Sequence, residues 1–374
     1  MLPLIEASSS SLENPVLRGR NGIYAHHGAP FAITCRYADA ANLPDLAHMD
    51  GLTQLDITGS GFSELPSLPH LTHLYADHNR LTHLPTTPNL EVAYLDGNAI
   101  ASLPDDLSAW ANLRILSLYG NVLSAIPESL GDLIRLEHLS VGKNKLHDLP
   151  EALWRLTHLR SLNVAHNHFV RLSDAIGQLQ HLEMLDAAHN QLTALPDGLM
   201  ALREFSGFLY LGNNPLTHIA PEFFSALHRT RYLNLTDTQL GTLPESLGEM
   251  VGLRELRLYR AHLTALPESL GQLSALQEVH LADNTITVLP WDLDGLIALH
   301  TVDLRNNHLM SLPESLGRLP RLRHLDVRNN RLATIPESLI ESPALEKLDL
   351  RWNKLTLPPA WLESLRGRGG VVYT

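Results

Sequence analysis

The residues best suited to chemistry are the histidines, of which the chain has 21, and its one cysteine, Cys35. His166 and His189 are the middle residues of the same tripeptide, AHN, which occurs twice, 23 residues apart, and His168 is close by. Imidazoles about 5 Å apart on neighbouring strands would suit a transition metal. The spacing places no carboxylate beside them, however, and phrases such as LTHL scatter histidine along the whole chain. We therefore expect structural or surface histidines here and no metal site.

Other catalytic signals are missing from the sequence. It contains no GxxxxGK[ST] phosphate loop, no HExxH and no GxSxG. One cysteine can form neither an internal disulfide nor a cysteine-rich zinc site. The net charge of −12 argues against a nucleic acid or an anionic membrane as the main partner. We expect no enzymatic activity, no cofactor and a cytoplasmic location, because a chain with one thiol suits a reducing compartment.

The sequence repeats itself with a period of 23 residues. The tetrapeptide PESL begins at residues 127, 244, 267, 313 and 336, and the spacing of 117 equals three units of 23 and two of 24. Aligned on this period, the chain follows the frame LxxLxLxxNxLxxLPxxLGxL. Fourteen consecutive units begin at residues 52, 71, 90, 113, 136, 159, 182, 206, 230, 253, 276, 299, 322 and 345.

Each part of this frame predicts a structural element. The alternation in LxL is typical of a short β-strand with its leucines on one face. The asparagine side chain can bond the backbone of the neighbouring turn. Proline followed by E-S-L-G predicts the first turn of a short helix or 3₁₀ segment. One unit cannot bury its leucines alone, so the units must stack.

The frame LPESLGxLxxLxxLxLxxNxLxxLP resembles the leucine-rich repeat family, over about residues 30–358. Most units look like the bacterial and plant intracellular LPESLG type. The two 19-residue units from Leu52 and Leu71, with LPSLP and LPTTP, are similar to the repeats of type III secreted effectors. The resemblance implies an α/β solenoid, a curved horseshoe with a parallel β-sheet on its concave face and short helical, 3₁₀ or extended convex segments.

The departures from the frame define the expected domains. We predict a disordered leader at 1–20, an N-terminal cap with a degenerate repeat at 21–51, fourteen repeats at 52–358 and a C-terminal cap at 359–374. The degenerate repeat places Ile33 and Cys35 on buried leucine positions, with Leu43 and Pro44 further along. In the last cap we expect a helix around 360–365 and a strand at 371–373.

The variable positions of the predicted strands point to the concave face, because side chains alternate along a strand. An acidic and aromatic zone comes first, with Asp56, Asp77, Asp96, Tyr75, Tyr94 and Tyr119. A bland zone follows between residues 142 and 188. The last zone is a charge ladder, which either pairs with itself across neighbouring strands or contacts a partner, and it consists of Asp303, Arg305, Asp326, Arg328, Asp349 and Arg351 beside Trp352.

The asparagine column is interrupted once within the repeats. Thr238 and Ala261 take the place of asparagine, next to the units from Ser206 and Thr230, each of which begins 24 residues after the unit before it. We expect weaker turn bonding and a local change of curvature there. Aromatic and arginine side chains gather at this break, as in binding hot spots, although tyrosines filling a poorly packed junction would explain them too: Phe208, Tyr210, Tyr232, Arg257, Tyr259 and Arg260.

The sequence therefore predicts a non-enzymatic, monomeric module that binds a protein partner on its concave face. One alternative is a type III secreted effector acting in a host cell, related to leucine-rich repeat ubiquitin-ligase effectors but without their catalytic domain, with residues 1–28 as an export signal. A second alternative is a structural scaffold without a discrete site. The serine-rich start and the short LPxLP units favour the effector hypothesis.

Overall fold

The structure, a computed structural model, describes residues 4–6, 21–26, 29–38, 45–49, 51–84, 87–342, 344–356 and 370–374. Eighteen short strands are described: β1 Leu4–Glu6, β2 Gly22–His26, β3 Ala29–Thr34, β4 Gln54–Asp56, β5 His73–Tyr75, β6 Val92–Tyr94, β7 Ile115–Ser117, β8 His138–Ser140, β9 Ser161–Asn163, β10 Met184–Asp186, β11 Phe208–Tyr210, β12 Tyr232–Asn234, β13 Glu255–Arg257, β14 Glu278–His280, β15 Thr301–Asp303, β16 His324–Asp326, β17 Lys347–Asp349 and β18 Val371–Tyr373.

The helices in the described part of the chain are equally short. Three are α-helical: α1 Pro221–Ala226, α2 Glu314–Arg318 and α3 Glu337–Glu341. Eight are 3₁₀ helices: Leu46–His48, Ser108–Trp110, Glu128–Asp132, Glu151–Arg155, Asp174–Gln178, Asp197–Ala201, Glu245–Glu249 and Glu268–Gln272. No helix in the described ranges has the length and apolar character that crossing a bilayer requires.

The chain divides into two compact units. Unit 1 is Met1–Phe169 with Gln178–Met184, and unit 2 is Val170–Gly177 with Leu185–Thr374. In unit 1, strands β3 to β9 pair in parallel in chain order. In unit 2, strands β11 to β18 do the same. The predicted fold class, an α/β solenoid with a parallel sheet, is confirmed in each unit.

The leucine frame explains the register of these sheets. The middle residue of each strand lies opposite the middle residue of the next, as with Leu209, Leu233 and Leu256 in unit 2, and all three are at most 1% exposed. One strand adds too little apolar area to be stable alone, so each repeat closes the core of its neighbour. The first and third residues of each strand face the other way. Together with the residue two positions beyond the third, they form the surface that we call the open face.

The start of unit 1 follows the degenerate repeat that the sequence predicts. Ile33 pairs with Leu55 between β3 and β4, and both Ile33 and Cys35 are buried. β2 forms an antiparallel hairpin with β3. The expected disordered leader differs from the structure at β1, which pairs in parallel with β2. The rest of residues 1–20, and Leu43 and Pro44, lie outside the described residues.

The end of unit 2 contains the predicted final strand. β18 occupies Val371–Tyr373 and pairs in parallel with β17. Its middle residue, Val372, is 8% exposed and extends the row of buried strand centres. The predicted helix around 360–365 lies outside the described residues.

The outer segments depend on proline, but in a different place from the expected one. We predicted proline in the first helical turn. In all seven helices that directly follow an LP or IP step, such as the one at Glu128–Asp132, proline is instead the extended residue just before the helix. The Pro127 carbonyl accepts the Leu130 N–H at 3.1 Å, so it starts the 3₁₀ turn. Among the described residues, the short units between β4 and β6 have no helix there, as their extra prolines predict.

The asparagines form a ladder of buried hydrogen bonds. Asn144 donates from Nδ2 to the carbonyls of Leu118 and Val141, both at 3.0 Å, and its Oδ1 accepts the Leu123 N–H at 2.9 Å. Asn121, Asn167 and Asn284 bond in the same way, to the preceding repeat and to their own. Each asparagine therefore joins two repeats through backbone groups that would otherwise be buried without partners.

Candidate functional site

The candidate site is the open face of unit 2, where polar and aromatic residues replace the small residues of the bland zone. It has three adjoining parts. The first is an aromatic cluster, the second a hydrogen-bonded network around His280, and the third the charge ladder. Because the leucine core lies on the opposite side of the sheet, none of these side chains is required by the repeat frame.

The aromatic cluster consists of Phe208, Tyr210, Tyr232 and Arg257. The ring of Tyr232 lies 6.0 Å from that of Phe208 and 4.7 Å from that of Tyr210, measured between centroids. The Arg257 guanidinium stands 5.7 Å from the Tyr232 centroid. Tyr232 is 9% exposed and burial raises its pKa to about 12, whereas Phe208 remains 46% exposed. The cluster is thus anchored at its centre and open at its edge.

The His280 network continues from the cluster through Arg257, whose Nε donates to Glu255 at 2.6 Å. His280 Nε2 lies 3.1 Å from Glu278 Oε2 and 3.9 Å from Glu255 Oε1. The other ring nitrogen, Nδ1, lies 2.8 Å from the Tyr259 hydroxyl. Burial is the first cause that raises the pKa of Tyr259 to about 12. A neutral phenol therefore orients the imidazole at neutral pH.

The charge ladder pairs mainly along each strand. Pairing across neighbouring strands was one of the two expectations, but Arg328 binds Asp326 at 2.7 Å and Arg351 binds Asp349 at 2.6 Å, each two residues apart. One pair in the described ladder, Arg328 with Asp349 at 3.4 Å, crosses between strands. Residues i and i+2 lie on the same face of a strand, so each arginine reaches the aspartate two residues before it without distortion of the backbone.

Arg305 is the ladder residue nearest to the His280 network. It lies 3.5 Å from Asp303 and 6.0 Å from the centroid of the Tyr259 ring. A shallow cavity of about 330 Å³ follows this part of the open face, lined by both ladder and network residues. Its lining includes Tyr259, His280, Asp303, Arg305, His324, Asp326 and Asp349.

Two predicted site residues, Arg260 and Trp352, adopt a left-handed backbone in the turns that follow their strands. Arg260 and Trp352 have positive φ values of 48° and 59° at the position just before the asparagine column. Arg260 pairs with Asp237, its Nη2 lying 2.7 Å from Oδ2, and is separate from the aromatic cluster. Trp352 is 69% exposed, with Arg351 5.5 Å from its ring.

A left-handed residue precedes the asparagine in nearly every full repeat, which the sequence did not predict. Non-glycine residues rarely adopt positive φ, and asparagine, aspartate and histidine tolerate it best. That preference explains three of the recurring histidines, His78, His166 and His189, which all occupy this position. His166, His168 and His189 are exposed. The signal in the sequence was the repeated AHN phrase.

The open face of unit 1 carries the other predicted aromatic residues. Tyr75 and Tyr94 stack with 5.5 Å between centroids and 9° between ring planes. Asp96 accepts hydrogen bonds from the Ser117 hydroxyl at 2.6 Å and the Tyr119 N–H at 2.8 Å. These contacts all lie within unit 1.

The interruption of the asparagine ladder coincides with unit 2's aromatic surface. Thr238 donates to the Leu235 carbonyl at 2.7 Å, the bond to its own repeat. Ala261 has no such side chain, and Asn284 of the next repeat accepts its N–H at 3.0 Å. His262 and Gly241, which follow the interruption, are additional residues with positive φ. The predicted weakening of the turn bonds is therefore present at these two repeats.

Cys35 is a core residue. It is 1% exposed, and burial raises the pKa of its thiol. A raised pKa leaves the thiol protonated and unreactive at neutral pH.

Comparison with protein families identifies the repeats. One family model, described as "Leucine rich repeat", matches residues 127–169, 208–263 and 297–355. A second leucine-rich repeat model matches residues 112–133. Over these residues the chain is similar to the leucine-rich repeat family, in agreement with the parallel sheets and the asparagine ladder. A search of curated proteins finds no match.

Solved structures show the same fold. A leucine-rich repeat protein of Leptospira interrogans has a TM-score of 0.78 and 28% identity, with 100% of each chain covered. The plant peptide hormone receptor RGFR1, solved in complex with RGF2, has a TM-score of 0.69 and 25% identity, covering 88% of this chain and 55% of the receptor. The functional domain of InlJ from Listeria monocytogenes is similar in fold, with a TM-score of 0.64 and 21% identity. The match covers 86% of this chain and 73% of the InlJ chain.

Proposed function

We propose that this chain is a non-catalytic module that binds a protein partner on the open face of unit 2. The observation that carries the proposal is the aromatic cluster. Four side chains that the core does not need, Phe208, Tyr210, Tyr232 and Arg257, meet on one surface. Tyrosine and arginine dominate the energetics of protein interfaces, and an anchored centre with an open edge reduces the entropy lost on binding.

The family and a neighbouring fold support this proposal. Leucine-rich repeat proteins generally mediate protein–protein interaction, and the RGFR1 structure is a complex with RGF2. The effector hypothesis, with residues 1–28 as an export signal, stays a prediction.

The test uses the intact chain as bait, followed by affinity measurement on each captured and purified protein. The double variant Phe208→Ala, Tyr210→Ala should weaken binding by about thirtyfold or more, equivalent to about 2 kcal/mol. The matched control is Tyr75→Ala, Tyr94→Ala, which removes two stacked rings from unit 1. Circular dichroism must show both variants folded. Unchanged affinity in the first variant, or an equal loss in the control, would overturn the proposal.

A further inference from the structure

One group of three metal-competent side chains occurs among the described residues: Glu255, Glu278 and His280, whose ligand atoms lie within 4.8 Å of one another. Glu255 and Glu278 are direct neighbours across β13 and β14. His280 comes two residues after Glu278, so its side chain emerges on the same face. The imidazole Nε2 thus lies beside two carboxylates.

The arrangement concentrates negative charge. Like charges directly opposite each other on adjacent strands are destabilising. Arg257 offsets the charge of Glu255 through its 2.6 Å bond. Among the described residues, the ion-pair contact of Glu278 is with His280 and not with a lysine or arginine. A cation between the two glutamates would relieve their repulsion.

The imidazole is held in the orientation that a metal ligand needs. Its Nδ1 is 2.8 Å from the Tyr259 hydroxyl, which fixes the ring with Nε2 towards the glutamates. Metal-binding histidines usually donate the N–H of their second ring nitrogen to a hydrogen-bond acceptor. When Nδ1–H donates to the Tyr259 oxygen, the Nε2 lone pair is free to bind an ion.

We propose that Glu255, Glu278 and His280 form a binding site for a zinc-class divalent ion, with His280 Nε2 and one oxygen from each glutamate as ligands. Ligands about 2.0–2.1 Å from a tetrahedral zinc are about 3.3 Å apart, and the distances from Nε2 of 3.1 Å and 3.9 Å bracket that value. One nitrogen and two carboxylates suit Zn²⁺. Three protein ligands leave a position for water on the open face.

The adjoining repeats cannot form such a site. The positions equivalent to Glu255 and Glu278 are Tyr232 in the preceding repeat and Thr301 in the following one. His324 also faces a carboxylate, Glu346 at 3.7 Å, but among the described residues it pairs with that one alone. The site is therefore specific to β13 and β14. It goes beyond the proposed function, since ion binding needs no protein partner.

The test is isothermal titration calorimetry of the full chain with Zn²⁺, with Mg²⁺ as the comparison ion. We expect one saturable Zn²⁺ site per chain and no comparable Mg²⁺ binding, because Mg²⁺ prefers oxygen ligands. Glu278→Gln and His280→Gln should each weaken Zn²⁺ binding by about tenfold or more, and Tyr259→Phe should weaken it less. His324→Gln is the matched control and should bind as the wild type does.

Three results would contradict the proposed zinc site. They are the absence of saturable Zn²⁺ binding, equal affinity in His280→Gln and the wild type, or many weak sites shared among the 21 histidines. Thermal unfolding without metal checks that the variants fold. Should His280→Gln unfold, Glu278→Gln decides, since that side chain is 37% exposed and its loss disturbs no core. Because no partner is present, failure here is distinct from failure of the proposed function.

Discussion

Asn144 shows at one position the hydrogen bonds that each repeat needs at its turn. Its amide satisfies carbonyls of two repeats, and its oxygen accepts a third backbone group. Few other side chains can donate and accept simultaneously over so short a reach. Where Thr238 or Ala261 replaces it, the backbone uses a hydroxyl or the asparagine of the next repeat.

Replacing Asn144 with alanine should lower the free energy of unfolding by about 3 kcal/mol, because several buried backbone groups lose their partners. Urea unfolding measures the loss. Lys145→Ala, at an exposed neighbouring position, is the control and should change stability by less than about 0.5 kcal/mol. A loss in Asn144→Ala as small as that of the control would show that water replaces the amide.

Asp77 should make the stability of unit 1 depend on pH. Burial raises the pKa of Asp77 to about 6, above the value of about 3.9 in an unfolded chain. The folded chain therefore binds this proton more tightly, and stability falls as the pH rises from about 4 to about 6. Asp77→Asn removes the charge and keeps an oxygen for the Asp96 N–H, which Asp77 accepts at 2.8 Å.

The variant Asp77→Asn should thus be more stable than the wild type above about pH 6 and equal to it below about pH 4. Urea unfolding across this range tests the difference, with the exposed Asp148→Asn as control. A difference that is constant with pH would contradict the role of the charge.

Residue-scale prediction from sequence succeeded where one side chain has one task. The asparagine column and the buried places of Ile33 and Cys35 were predictable because the frame repeats them. The pairing of Arg328 with Asp326 was not predictable, because Arg328 reaches both Asp326 and Asp349 and the sequence does not show which carboxylate is nearer. The grouping of Glu255, Glu278 and His280 also depends on strand register, which the spacing of Glu-x-His alone does not reveal.

At the scale of elements, the ends of the sheets are the points of weakness. β18 covers β17, and the Leu350 N–H donates to the Tyr373 carbonyl at 2.8 Å. Arg351 and Lys347 lie 5.0 Å and 5.9 Å from the Tyr373 ring. An uncovered β17 would expose unpaired backbone groups and the buried row of the last full repeat.

Two adjacent substitutions test this cover. Val372 is 8% exposed and Val371 is 49% exposed, because they face opposite sides of β18. Val372→Asp buries a charge and should lower the melting temperature by several degrees, with faster amide exchange at Leu350. Val371→Asp should leave both nearly unchanged. Equal effects of the two variants would mean that β18 does not cap the sheet.

Elements with a strong local pattern were predictable, and elements without one were not. The strand at Val371–Tyr373 follows a break in the frame and consists of β-favouring residues, and its bounds were predicted correctly. The strand at Leu4–Glu6 is only three residues long and lies beside a serine-rich run, so its sequence has no strong strand pattern. Its pairing with β2 depends on the hairpin that follows, a contact that local sequence does not encode.

At the scale of the whole molecule, the leucine frame and the proposed binding surface occupy opposite faces of the strands. The leucines stabilise each repeat against the next, while the first and third strand residues are free to vary. In unit 2 this freedom produced the aromatic cluster, the His280 network and the ladder side by side. The sequence predicted the cluster's members, but their shared surface depends on cross-strand register.

A protein bound at this surface should leave a footprint confined to it. Amide hydrogen exchange of the intact chain, measured with and without a captured partner, should slow in β11, β12 and β13 and in the turns that follow them. The strands of unit 1 should exchange as before, because their aromatic pair, Tyr75 and Tyr94, is not part of the site. With Phe208→Ala, Tyr210→Ala the slowing should disappear at the same partner concentration. Slower exchange in unit 1, or in the 3₁₀ helices alone, would place the partner elsewhere and remove the open face of unit 2 as the binding surface.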